Sequence, residues 1–140
     1  MMSTMHEGTK YLTIGEVADR LGISAPTLRY WEERGLLRPA ARQSGRRLYG
    51  ATELRRIALI RIWQESGMLS LDEIATVLAG RTETGHWRET VHGRLAAIDE
   101  QIDRLGRARV YLVHYLDCPR DRPAEECPVV HREVDAYLDA

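Results

Sequence analysis

Two sets of residues in this 140-residue sequence have the types and spacing to do chemistry. The first is Cys118 and Cys127, the only cysteines, with eight residues between them in "CPRDRPAEECP" and each followed by proline. Thiolates select soft ions such as Cu(I), Hg(II) or Zn(II) over hard cations. Two thiolates alone suit linear Cu(I) or Hg(II). Zn(II) asks for about four ligands, which would have to include His86, His114 or His131. Each of these histidines fits an ordinary surface or interface role equally well. The cysteines also read as a redox or electrophile-sensing pair, although acidic Asp117 and Glu126 are expected to raise the thiol pKa and oppose that. A third reading makes them small buried hydrophobes in a tail that senses an organic ligand, with Trp87, Tyr111 and Tyr115 lining a pocket, or senses nothing.

The second set is the arginines. From Arg29 to Arg61 nine arginines stand against Glu32, Glu33 and Glu53, a net of +6 inside a chain of net charge −1. Residues 81–140 carry nine arginines against twelve acids, a net of −3. A basic patch in a near-neutral chain is the footprint of a polyanion binder, or simply a solvated face. Lys10 is the one lysine. Arginine suits bidentate contact with phosphate and guanine, though a compositional bias accounts for it equally.

These residues need elements to hold them. "TIGE", residues 13–16, is a capping box that opens a helix with Ile14, Val17, Ala18 and Leu21 at helical spacing and Gly22 as its stop. Ser24 caps a second helix, with Pro26 in its first turn and Gly35 at its end, so the pair makes a helix-turn-helix. In the second helix Leu28 and Trp31 take core spacing, while Arg29 and Tyr30 fall on a more exposed face. "RPAARQSGRRLYG", residues 38–50, reads as a small hairpin or wing with an arginine-rich tip. A third helix runs from Thr52 through Ser66, and "SLDE", residues 70–73, caps a fourth that ends near Gly80.

Further on the pattern changes. From Val91 the apolar series is Leu95, Ile98, Ile102, Leu105, Leu112 and Leu116, in steps of four and three, with Arg109 in the slot between Leu105 and Leu112. This is a coiled-coil seam of about three and a half heptads. One helix cannot bury such a stripe. Packing back on its own domain is one solution; a second copy is the better one, because no preceding helix has comparable length. Gly106 allows close helix approach, Pro119 stops the helix, and Val129 to Leu138 form a short terminal helix.

Residues 12–80 closely resemble the MerR family of transcriptional regulators. The family pattern begins T-I-G-E-V-A, continues with T-L-R-Y-Y-E-x-x-G-L-L and an R-x-x-x-G-Y-R-x-Y wing, and ends with L-x-R-L-x-x-I and G-x-S-L-x-E-I. Here Trp31 replaces the second tyrosine, the wing is one residue shorter between Arg42 and Gly45, and Arg46 stands where a tyrosine is usual. The resemblance implies a mainly α protein. A winged helix-turn-helix spans 10–80, a long antiparallel coiled-coil dimerisation helix spans 86–117, and an effector-binding loop and short helix span 118–140. It implies double-stranded promoter DNA, a second copy of the chain and RNA polymerase as partners. The DNA contacts it implies are Thr27, Arg29, Tyr30, Arg42, Arg46, Arg47, Tyr49, Arg55 and Arg56, with Arg47 and Tyr49 at the family's phosphate-contacting wing positions. Effector binding would make the dimer bend and untwist a promoter whose two recognition elements are spaced too far apart.

In metal-sensing members two cysteines at this kind of spacing hold the ion, and Cys118 and Cys127 match them. Divalent-metal members usually add a cysteine just before the long helix, where monovalent sensors carry serine. Thr84 falls about there, with His86 two residues on. The resemblance therefore favours a monovalent ion on two thiolates.

Other classes fare worse. No glycine-rich phosphate loop, paired-carboxylate signature or nucleophile motif points to an enzyme, and the cysteine gap is not the C-x-x-C of a thiol oxidoreductase. A dimeric adaptor that ignores DNA has no need of Arg46 and Arg47 on a turn. No run of about 18 apolar residues suggests a membrane span. "MMSTMHEGTK" lacks a signal-peptide apolar region, which predicts a cytoplasmic protein.

Overall fold

A computed structural model describes residues 10–140, and the first nine residues of the amino-terminal segment read above lie outside it. The elements are β1 (Leu12–Thr13), α1 (Ile14–Leu21), α2 (Ala25–Glu33), β2 (Ala41–Gln43), β3 (Arg46–Tyr49), α3 (Ala51–Glu65), α4 (Leu71–Ala79), α5 (Trp87–Leu116), α6 (Pro123–Glu126) and α7 (Pro128–Leu138). The chain divides into two compact units, one ending at His92 and the other running Gly93–Ala140.

Local chemistry sets the helix ends of the first unit. Thr13 and Glu16 close a reciprocal box at the start of α1, and Ser70 and Glu73 do the same at α4. Each box satisfies amide donors that a helix otherwise leaves orphaned. Gly22 takes the left-handed conformation, φ 65°, that ends α1 and turns the chain into α2. Ser24 accepts the Thr27 amide at 3.2 Å as the cap of α2.

The wing is a three-stranded antiparallel sheet in the order β1-β3-β2. Ser44 (φ 51°) and Gly45 (φ 77°) form the two-residue turn between β2 and β3. Positive φ at both positions is the type I′ geometry that matches strand twist, so the shortened wing is a tight hairpin. Strand β1 was not anticipated from the sequence. It pairs Leu12 with Tyr49 and Thr13 with Leu48, making β3 the central strand.

The core of this unit gathers Leu12, Val17, Ile23, Leu28, Trp31, Leu36, Leu37, Tyr49, Ile57, Ile60 and Ile74, drawn from β1, α1, α2, β3, α3, α4 and the segments between them. Trp31 takes the core place that its three-residue spacing from Leu28 predicts.

The second unit is organised differently. It holds all of helix α5 from Gly93 onward; the whole helix has 30 residues, about 45 Å at 1.5 Å per residue, and buries none of them. The short α6 was not foreseen, and α7 begins at Pro128, one residue before the predicted start. No helix among the described residues is long and apolar enough to cross a membrane.

Candidate nucleic-acid interface and cysteine pocket

Helix α2 presents Arg29 and Tyr30 outward while Leu28 and Trp31 hold its inner face in the core. Arg29, Arg46 and Arg47 line a polar cleft of about 340 Å³ with Thr13, Ile14 and Gly15 at the amino end of α1. The guanidinium groups of this cleft favour anions, while the amino end of α1 is already capped by the Glu16 carboxylate. Among the described residues Arg29 and Arg46 make no ion pair.

Several predicted contacts are already engaged inside the chain. The Thr27 hydroxyl lies 2.8 Å from that of Ser24. The Tyr30 hydroxyl accepts from Arg34 Nη1 at 2.9 Å, which is the first cause of a raised Arg34 pKa, and Arg34 also pairs with Asp72 on α4. Arg56 donates Nε to the Leu36 carbonyl at 2.8 Å, and Arg55 is exposed on α3. Arg42 and Arg47 both reach Glu32, a carboxylate that the sequence reading passed over. Its signal was position: it lies in the last turn of α2, the helix that precedes the arginine-rich wing.

Tyr49, which the resemblance places among the DNA contacts, is fully buried, with its hydroxyl unpartnered among the described residues. Pairing with β1 draws its ring into the core, and burial pushes its pKa above the ordinary tyrosine value. It supports the wing from beneath.

In the second unit Cys118 and Cys127 come together. Both are free thiols, and with His114, Tyr115, Asp117 and Val129 they line a pocket of about 160 Å³. Cys127 is buried and caps the amino end of α7. Backbone N–H groups of Val130 and Val129 and the neighbouring Cys118 thiol hold its pKa below the ordinary thiol value, the Val130 amide most strongly. The upward shift expected from Asp117 and Glu126 is therefore not what Cys127 shows: oriented amides act directly on the sulfur and outweigh the opposing effect of burial.

No group of three or more His, Cys, Asp or Glu side chains suited to a metal occurs among the described residues. His131 Nε2 lies 3.2 Å from the Ala124 carbonyl, and His86 Nδ1 accepts the Arg88 amide at 3.1 Å. Thr84 lies 3.4 Å from Thr82 through their hydroxyls. Tyr111 and Tyr115 donate to Glu133 at 2.6 and 3.2 Å, clasping α7 to α5, and Tyr111's bond to Glu133, followed by its contact with the Tyr115 hydroxyl, pushes the Tyr111 pKa up.

The seam residues stay open along α5. Leu95, Ile102, Leu105, Leu112 and Leu116 are exposed, Leu105 at 68% and Leu116 at 84%, with Ile98 half-buried and Arg109 exposed between them. Gly106 lies in an apolar groove with Ile102, Val110 and Tyr111.

Comparison with known proteins gives this arrangement its setting. Residues 12–81 match the MerR HTH family of regulatory proteins, and residues 54–115 match the family "MerR, DNA binding". An HTH-type transcriptional activator, a SoxR homolog of Chromobacterium violaceum, is 35% identical over 119 residues, covering 81% of this chain and 78% of that protein. The transcriptional regulator HmrR of Rhizobium leguminosarum bv. viciae is 27% identical, over 89% of this chain and 98% of that one. Among solved structures, the regulator PbrR691 of Ralstonia metallidurans CH34, in complex with lead(II), superposes with a TM-score of 0.66 at 25% identity, covering 86% of this chain and 98% of that one. The chain belongs to the MerR family of helix-turn-helix transcriptional regulators, DNA-binding proteins rather than enzymes.

Proposed function

We propose that the protein acts as a homodimer on promoter DNA and that its effector, a soft monovalent ion such as Cu(I), is held by Cys118 and Cys127. The dimer reading rests on the open leucine–isoleucine seam of α5, which a second antiparallel copy would cover. Each head would lay α2 in a major groove, with Arg29 toward base edges and the wing along the flanking backbone. Binding of the effector would favour the dimer state that bends and untwists the promoter for RNA polymerase.

The observation that carries the effector reading is the thiol pair itself: two free cysteines in contact in one small pocket, while no group of three or more His, Cys, Asp or Glu placed to hold a metal occurs among the described residues. That set fits two-coordinate Cu(I) or Hg(II) and is two ligands short for Zn(II). The lead(II) complex of the solved relative is in keeping with a soft cation here. Titrating reduced protein with Cu(I) against a chelator tests this. One ion per chain is expected, with Cys118→Ser and Cys127→Ser abolishing both binding and induction while DNA binding persists. Full induction in the double variant would contradict it.

A second reading has its own observation. Cys127, lowered in pKa at the amino end of α7 with Cys118 as neighbour, has the setting of a reactive thiol and its resolving partner. An electrophile that induces in the absence of metal would favour it.

A further inference from the structure

Glu32 lies in the last turn of α2 with its side chain only 16% exposed. Oε2 accepts from Arg47 Nε at 2.6 Å and Oε1 from Arg42 Nη2 at 3.4 Å. Those two arginines face each other directly across the β2–β3 ladder. Like charges in that position destabilise a hairpin. This ladder has only three residue pairs, so it has little else to offset the repulsion. A carboxylate reaching both arginines cancels the repulsion and ties both strands to α2. The wing has no other ion pair to α2 among the described residues. Tyr49, beneath it, contributes ring packing but no hydrogen bond from its hydroxyl. Arg29 and Arg46 line the same cleft as Arg47 but, among the described residues, have no carboxylate partner.

We propose that Glu32 is a positioning residue for DNA recognition, an internal counterion that fixes the wing on the recognition helix through Arg47 and Arg42. Arg29 and Arg46 are then the arginines left free to neutralise phosphate or read bases. The inference rests on the DNA-binding reading of this surface. Its consequence is specific to charge. An arginine already neutralised within the protein releases few counterions when DNA binds, whereas each phosphate neutralised by a free one adds about 0.9 to the slope of log K against log salt. Glu32 therefore limits salt-sensitive, sequence-blind affinity and favours operator selectivity.

The test uses the full-length protein, with binding followed by fluorescence anisotropy over a salt series on two duplexes, its own promoter and a random sequence. Glu32→Gln keeps size and removes charge. The salt slope should steepen by about 1 to 2 per protomer, affinity for random duplex at low salt should rise, and the promoter-to-random ratio should fall. Adding Arg42→Gln and Arg47→Gln to that variant should return the slope toward the wild-type value. Equal loss of affinity on both duplexes with an unchanged slope would overturn the proposal and leave Glu32 a purely structural residue. Should Glu32→Gln fail to fold, single variants in the wild-type background decide. Arg46→Gln should make the slope shallower by about 0.9 per protomer and Arg47→Gln by less than half of that; equal changes would overturn the proposal. A wild-type protein without affinity for either duplex would instead refute the DNA-binding reading itself.

Discussion

The head and the rod of this chain solve the burial problem in opposite ways. In the head, apolar residues on four short helices and a three-stranded sheet point at one another, and eleven of them close into a core. In the unit from Gly93 onward, Cys127 is the one buried residue, although leucine, isoleucine and valine are plentiful there. The difference lies in geometry rather than composition. Crossing helices can bury each other's apolar faces, while a single 30-residue helix with apolar residues every three or four positions carries a face that only another surface can cover. The head thus closes on itself, whereas the second unit leaves its apolar stripe exposed.

The contrast can be broken from either side. The largest effect is expected from Leu105→Asp combined with Leu112→Asp. Burial of each leucine in a seam stabilises by roughly 2–5 kcal/mol, so the pair should raise the dimer dissociation constant by several orders of magnitude in sedimentation equilibrium. The head should keep its near-ultraviolet circular dichroism; loss of that signal would mean that the rod is needed to fold the head. Trp31→Ala should do the reverse. It removes a large side chain that is 1% exposed, and should destabilise the head by about 3–5 kcal/mol in urea unfolding. Helicity of the rod should then survive to higher urea than the head's near-ultraviolet signal.

A smaller effect sharpens the account of the wing. The Tyr49 hydroxyl is buried and unpartnered, so removing it relieves a desolvation cost. Tyr49→Phe should therefore be neutral or stabilising by about 1 kcal/mol, where loss of a phosphate contact would instead weaken DNA binding. The pH dependence has a definite sign. Burial raises the folded pKa of Tyr49, so the neutral form is favoured in the folded protein, and stability should fall as pH rises past the unfolded tyrosine value of about 10. Tyr49→Phe should remove that part of the alkaline loss, measured as melting temperature against pH.

What the sequence made legible, and what it did not, follows the range of the interactions involved. The boxes at Thr13–Glu16 and Ser70–Glu73 are three-residue devices and could be read directly. The long helix α5 could be read the same way, because its apolar spacing is a pattern along one helix. Strand β1 has two residues, too few to show a period, and without it β3 reads as a free wing strand with Tyr49 at its exposed end. Glu32 was missed because its meaning depends on partners ten and fifteen residues away. The Cys127 pKa was misjudged because charge signs can be counted along a sequence, whereas amides aimed at a sulfur exist only once α7 has formed. Local chemistry was visible; chemistry created by tertiary placement was not.

The most direct test of the whole account is analytical ultracentrifugation of the wild-type protein alone and with a labelled duplex from its own promoter, at two salt concentrations. Two protomers should sediment together without DNA and bind one duplex as a pair, with an affinity that drops steeply as salt rises. A single chain that remains monomeric at micromolar concentration and ignores the duplex at both salts would contradict it.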